Sequence, residues 1–184
     1  VKLKLTVAAM LAALFIALPF EVAFTAYDWR FDPTEYPKMV SWAGCTADVD
    51  IDQHDSVAGS YYVPGYHVMH IGARDDSGIP YFAGLIILLH ETGHCLQFQA
   101  DPEGQMSAYR QDPVKYELDA DRRAADLACS MGLDGKQLLR DTFQWAHDVL
   151  GYEGDPSHGT LAQRMSQGDA APACMRRVET WASM

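Results

Sequence analysis

The sequence predicts a mainly helical α+β domain with a small sheet beside one long buried helix. Three observations predict it. Residues 79–99 are apolar on almost every side up to position 90, residues 113–131 and 135–150 carry helix start and stop signals, and residues 61–71 hold two short β-type runs. The chain has 184 residues, 48% of them hydrophobic, which is material for the core of one domain. Its net charge of −11 argues against a nucleic-acid surface, and it has no polybasic patch for a membrane.

Taken in order, the elements begin with Lys2 and Lys4 ahead of an apolar run from Leu5 to Phe20, interrupted by Thr6 and Pro19 and followed by Glu21. Charge and apolar core are those of a secretory signal, and the run falls short of the roughly 20 residues that span a bilayer. Glu21 and Phe24 stand where a cleavage site after Ala23 or Ala26 prefers a small residue. Residues 1–26 therefore read as a signal peptide or an N-terminal membrane anchor, and residues 27–184 as the domain. Either way the expectation is export, with the domain periplasmic, secreted or membrane-anchored outside the cytoplasm. Four separated cysteines, Cys45, Cys95, Cys129 and Cys174, agree with this and suit one or two disulfides, all three pairings being open.

Between Tyr27 and Gly59, a stretch that includes Trp29 and Trp42, the alternation Asp48-Val49-Asp50-Ile51-Asp52 predicts a short strand among loops. It lacks the glycine and terminal glutamate of a calcium loop. Tyr61-Tyr62-Val63 and residues 66–71 predict two strands broken by Pro64-Gly65. His67 and His70 are an odd number apart, on opposite strand faces, and read as surface or core histidines. Ser77-Gly78 and Pro80 start the long helix, which runs to about Gln99 and is ended by Asp101-Pro102-Glu103-Gly104. Asp112-Pro113 supplies an N-cap and a first-turn proline to the next helix, and Gly132 a stop. A third helix follows from Gly135 to Leu150, with Leu138, Leu139, Phe143, Trp145 and Leu150 on its apolar side, Gly151 closing it and His147 structural. Residues 160–167 and 172–181 predict two shorter helices that cover the core.

The chemistry sits at the end of the long helix, in His90-Glu91-Thr92-Gly93-His94. Positions i and i+4 stand one above the other on a helix face, so His90 and His94 can share one Zn²⁺. Glu91, beside them, is placed to take a proton from water rather than to bind the ion. Buried imidazoles and a carboxylate need compensation for lost water, and a metal is its simplest source. In the next helix Glu117 and Asp121 are again i and i+4. If the two faces meet over one ion, Glu117 is the third ligand and Asp121 accepts the free N–H of a ligating histidine. Position 97 is Gln and position 100 is Ala, so the longer motif with a third histidine close behind is absent. Cys95 points about 100° away around the helix and is no natural fourth ligand.

Three blocks, His90-Glu91-Thr92-Gly93-His94-Cys95-Leu96-Gln97, Glu117-Leu118-Asp119-Ala120-Asp121 and His158-Gly159-Thr160-Leu161-Ala162-Gln163-Arg164, resemble the neutral zinc metallopeptidase family of bacteria. Gly168-Asp169 and Cys174 extend the match, which covers about residues 60 to 175. The resemblance implies a zincin-like metallopeptidase domain with one Zn²⁺ per chain, ligands His90, His94 and Glu117, base Glu91 and outer partner Asp121. It also implies that His158 stabilises the oxyanion, a capping role at the next helix being its structural alternative. Zincins bind an extended peptide along an open strand edge, and the strand at 66–71 is the candidate here. The expected function is peptide-bond hydrolysis. Two rivals share the motif: an exported zinc-binding scaffold with little hydrolysis, and a zinc hydrolase of cell-wall peptides.

Overall fold

The computed structural model describes residues 35–74 and 78–170. Its elements are α1 (Tyr36–Trp42), β1 (Asp48–Ser56), β2 (Tyr61–Val63), β3 (Val68–Arg74), α2 (Tyr81–Ala100), α3 (Pro102–Gln111), α4 (Pro113–Ser130), α5 (Gly135–Leu150), β4 (Gly154–Asp155), β5 (Gly159–Thr160) and α6 (Leu161–Ala170). This is an α+β fold, mainly helical, with small sheets. The signal or anchor expected at 1–26, Cys174 and the helix expected at 172–181 lie outside the described residues. No helix among the described residues is long and apolar enough to cross a membrane.

Why α2 is apolar nearly all round is plain from its neighbours. On one flank Leu88 and Cys95 join Tyr62, Met69 and Ile71 of the sheet with Tyr36 and Val40 of α1. On the other, Leu85, Ile86 and Leu89 join Ala124, Ala125 and Ala128 of α4 with Leu138, Leu139 and Phe143 of α5. The helix is the shared wall of two apolar clusters, so it has no face to give to water. A disulfide between Cys45 and Cys95 fastens it to the segment that joins α1 to β1.

Asp101 and Asp112 each stop one helix and start the next. The Asp101 carboxylate accepts the Gly104 N–H at 2.9 Å and the Asp112 carboxylate the Lys115 N–H at 3.0 Å, each with a proline in the first turn. The sequence reading places only a stop at Asp101-Pro102; α3 is an addition to it, a helix with no buried residue. At the end of α5, Gly151 takes the left-handed conformation, φ 69°, that closes the helix. Leu138, Leu139 and Phe143 are buried as expected, but Leu150 in the last turn is 63% exposed and takes no part in the core. His147 pairs with Glu153 at 3.2 Å.

The three-stranded sheet has the order β1-β3-β2, with β3 parallel to β1 and antiparallel to β2. This corrects the expected peptide-binding strand: the run at 66–71 supplies the middle strand, whose two edges are already paired. The edge strand that meets α2 at Glu91 is β2. His67 precedes β3 with φ 53°, its ring between the Tyr62 and Thr46 hydroxyls at 2.7 and 2.9 Å. His70, inside β3, lies between Asp50 and Asp55 at 3.2 and 3.5 Å.

Candidate metal centre

Two helices that cross closely carry the site. A Cβ on Gly93 of α2 would stand 3.1 Å from the Ala120 carbonyl and 3.3 Å from the Arg123 Cβ of α4, so glycine is what lets the helices approach this far. Ala120, Ala124, Ala125 and Ala128 keep the facing side of α4 equally small. Across this contact His90, His94 and Glu117 converge, all three buried. The His90 and His94 Nε2 atoms are 3.0 Å apart, and the Glu117 Oε2 is 3.1 Å from the first and 3.2 Å from the second. A tetrahedral ion with bonds of about 2.0–2.1 Å sets its ligand atoms roughly 3.3–3.4 Å apart, close to these separations. Among the described residues this is the one such group that could hold a metal ion.

The outer partners decide which nitrogens face the centre. The His90 Nδ1 is 2.8 Å from the Asp121 Oδ1, and the His94 Nδ1 is 2.9 Å from the Gln97 Oε1. Both partners are acceptors, so both Nδ1 atoms carry protons, and in neutral rings both Nε2 lone pairs point at each other and at the Glu117 carboxylate. Three acceptors within 3.2 Å favour a positive charge between them, either a proton on one Nε2 or a metal ion. The field agrees: burial opposes a charged His90 ring, yet hydrogen bonds to Asp121 and Glu117 raise its pKa to about 10. Burial likewise opposes the Glu117 charge, and the two histidines hold its carboxyl well below the usual carboxylate range.

Asp121 is fully buried and does more than meet His90. Arg164 of α6 donates to it twice, Nε to Oδ2 at 2.8 Å and Nη2 to Oδ1 at 2.7 Å, while its guanidinium lies 4.4 Å from the centre of the Phe143 ring. Burial opposes the Asp121 charge, and hydrogen bonds from Arg164 and His90 keep its carboxyl below its ordinary value. Arg164 is the main member of the site that sequence reasoning missed. It stands in the third motif block, but no local pattern links it to an aspartate 43 residues earlier. Gln97 and Tyr116 were also missed. The Tyr116 ring stacks on His94 with centroids 4.8 Å apart, and both residues sit one or three positions from a predicted ligand, the only local sign of a role.

His158 arrives from the β4–β5 hairpin. The Asp155 Oδ1 accepts the N–H groups of Ser157 and His158 at 2.8 and 2.9 Å, and the Oδ2 lies 2.8 Å from the His158 Nδ1. Burial opposes the Asp155 charge, but hydrogen bonds from Ser157 and His158 hold its carboxyl far below the usual range. The His158 ring is thus held by one nitrogen, and the other, Nε2, stands 3.7 Å from the Glu117 Oε2. The cap of α6 is made by other residues: the Thr160 Oγ1 accepts the Gln163 N–H and the Gln163 Oε1 accepts the Thr160 N–H, a capping box. Glu91, on the same helix as the histidines, is turned to the sheet, where its Oε2 accepts the Tyr62 N–H of β2 at 2.9 Å. Of the six residues singled out from the sequence, His90, His94 and Glu117 meet at the centre, Asp121 contacts His90 and His158 stands near Glu117, while Glu91 meets the sheet.

Compared with known proteins, the chain matches no family model, no curated protein and no solved structure. The resemblance to zinc metallopeptidases stands on the three motif blocks alone.

Proposed function

We propose that the protein is a zincin-like metallopeptidase that hydrolyses peptide bonds with one Zn²⁺ held by His90, His94 and Glu117. The observation that carries the reading is the convergence of those three donors, with a separate carboxylate, Glu91, on the same helix one residue after His90. When bound, zinc supplies Lewis acidity, which makes water a nucleophile near neutral pH and polarises a carbonyl. Glu91 takes the proton of the attacking water and returns it to the leaving amine. The Tyr62 N–H holds the Glu91 carboxylate toward β2, so base and strand edge share one side of the site. An extended peptide pairs along β2, and His158, its Nδ1–H held by Asp155, donates from Nε2 to the developing oxyanion when both ring nitrogens carry a proton. The domain works outside the cytoplasm, in keeping with its disulfide.

The test joins metal analysis to cleavage of a peptide library. Wild type is expected to carry one zinc per chain and to cleave, Glu91→Gln to keep the zinc without cleaving, and Glu117→Ala to lose zinc. Stoichiometric zinc without turnover of peptides or cell-wall fragments indicates the scaffold, and turnover confined to cell-wall fragments redirects the substrate class. Hydrolysis by Glu91→Gln at the wild-type rate overturns the role of the base.

A further inference from the structure

We infer that Gln97 is a positioning residue that fixes both the proton of His94 and the register of the two ligand-bearing helices. The inference rests on the metal-centre reading above. Gln97 is 1% exposed, and its side-chain amide is used at both ends. The oxygen faces the His94 Nδ1 at 2.9 Å; the nitrogen donates to the Tyr116 carbonyl at 3.0 Å and to the Asp119 Oδ2 at 2.9 Å. Only this orientation of the amide works, because the reverse would aim its oxygen at two other acceptors, the Tyr116 carbonyl and the Asp119 carboxylate. The His94 tautomer follows, with hydrogen on Nδ1 and the Nε2 lone pair free for the ion.

The nitrogen end has a second effect. Tyr116 precedes Glu117 directly, so the bond to its carbonyl pins α4 to α2 one residue before the third ligand. Asp119, the other acceptor, is held in turn by Arg122 and by Arg123, whose Nε lies 2.6 Å from it. One side chain thereby sets a histidine on α2 and the carboxylate ligand on α4. This assigns Gln97 a duty that differs from that of Asp121, which acts on His90 alone among the ligands. It also makes an unusual demand. A carboxylate, the common partner of a ligating histidine, cannot replace the amide, because it has no donor for Tyr116 and repels Asp119.

The experiment measures zinc affinity by competition with a chromophoric chelator, and the absorption spectrum of the cobalt(II) form, for wild type, Gln97→Met, Gln97→Glu and Gln97→Glu/Asp119→Asn. Gln97→Met is expected to bind zinc about 10–100-fold more weakly, the usual cost of losing such a partner, with an altered cobalt spectrum. Gln97→Glu is expected to weaken binding as well, and Asp119→Asn in that background to recover part of the loss. Wild-type affinity and an unchanged cobalt spectrum in Gln97→Met overturn the inference. So does a Gln97→Glu variant that binds as tightly as wild type, a result that stands even if Gln97→Met does not fold. Failure of the wild type to bind zinc or cobalt overturns the metal-centre reading instead, which separates the two.

Discussion

Replacing Arg164 with methionine tests the outer part of the site by stability alone. Arg164 makes two charge-assisted hydrogen bonds to Asp121, whose side chain is 1% exposed against 11% for the arginine. Each such bond contributes roughly 1.5–3 kcal/mol, and removing one partner of a buried ion pair costs about 3–5 kcal/mol because the other charge is left without compensation. Asp121 keeps its contact with the His90 Nδ1 at 2.8 Å, and methionine keeps some contact with Phe143. The expected loss is therefore at the lower end, about 3–4 kcal/mol, or a fall in melting temperature of roughly 6–16 °C for a domain of this size. Urea unfolding is followed with a chelator present, so that metal binding does not mask the change. The pair Arg164→Met/Asp121→Asn is expected to lose less than the sum of its singles, the mark of a shared contact. A loss below about 1 kcal/mol in Arg164→Met, the range of exposed pairs, refutes the claim that this pair is buried and needed.

Three further outcomes follow from the same structure. The Cys45–Cys95 bridge closes a loop of 50 residues, so Cys45→Ala/Cys95→Ala is expected to lose about 4 kcal/mol of stability, and an unchanged urea midpoint counts against that constraint. Burial opposes the Asp119 charge, but hydrogen bonds from Arg122, Arg123 and Gln97 hold its carboxyl down at about 2, below its ordinary 3.8. The folded value being the lower one, its contribution is complete above about pH 4 and is lost as pH falls toward 2; Asp119→Asn should flatten the stability curve there, and parallel curves contradict it. Finally, Asp155→Ala is expected to lower kcat with little change in zinc affinity, because the carboxylate holds His158 and touches no ligand. A variant with wild-type kcat removes His158 orientation from the mechanism.

Much of the architecture was legible because local chemistry decides it. Asp112-Pro113, Gly132 and Gly151 act within a turn of themselves, and α4 and α5 begin and end where these residues place them. The missed α3 shows a limit of reading rather than of signal, since Asp101-Pro102 carries the same cap as Asp112-Pro113. Strand order was a different matter. The parallel pairing of β1 with β3 joins residues about 20 apart, Asp50 opposite His70, and nothing in either strand names its neighbour. Hence the expected edge strand became the central one. At the site, i and i+4 spacing brought out His90, His94, Glu117 and Asp121, whereas Arg164 and Asp155 depend on where α6 and the β4–β5 hairpin return to the helices.

Gly93 carries no donor atom, yet the spacing of the donors hangs on it. With Ala120 opposite, it sets the thickness of the layer between α2 and α4, as a shim sets the gap between two plates. A methyl group there would leave every ligand in the chain and every cap in place, and α4 at Ala120 and Arg123 would have to give by a few tenths of an ångström. The spacing of the centre could thus be altered without touching its chemistry, from a position that carries no polar side chain.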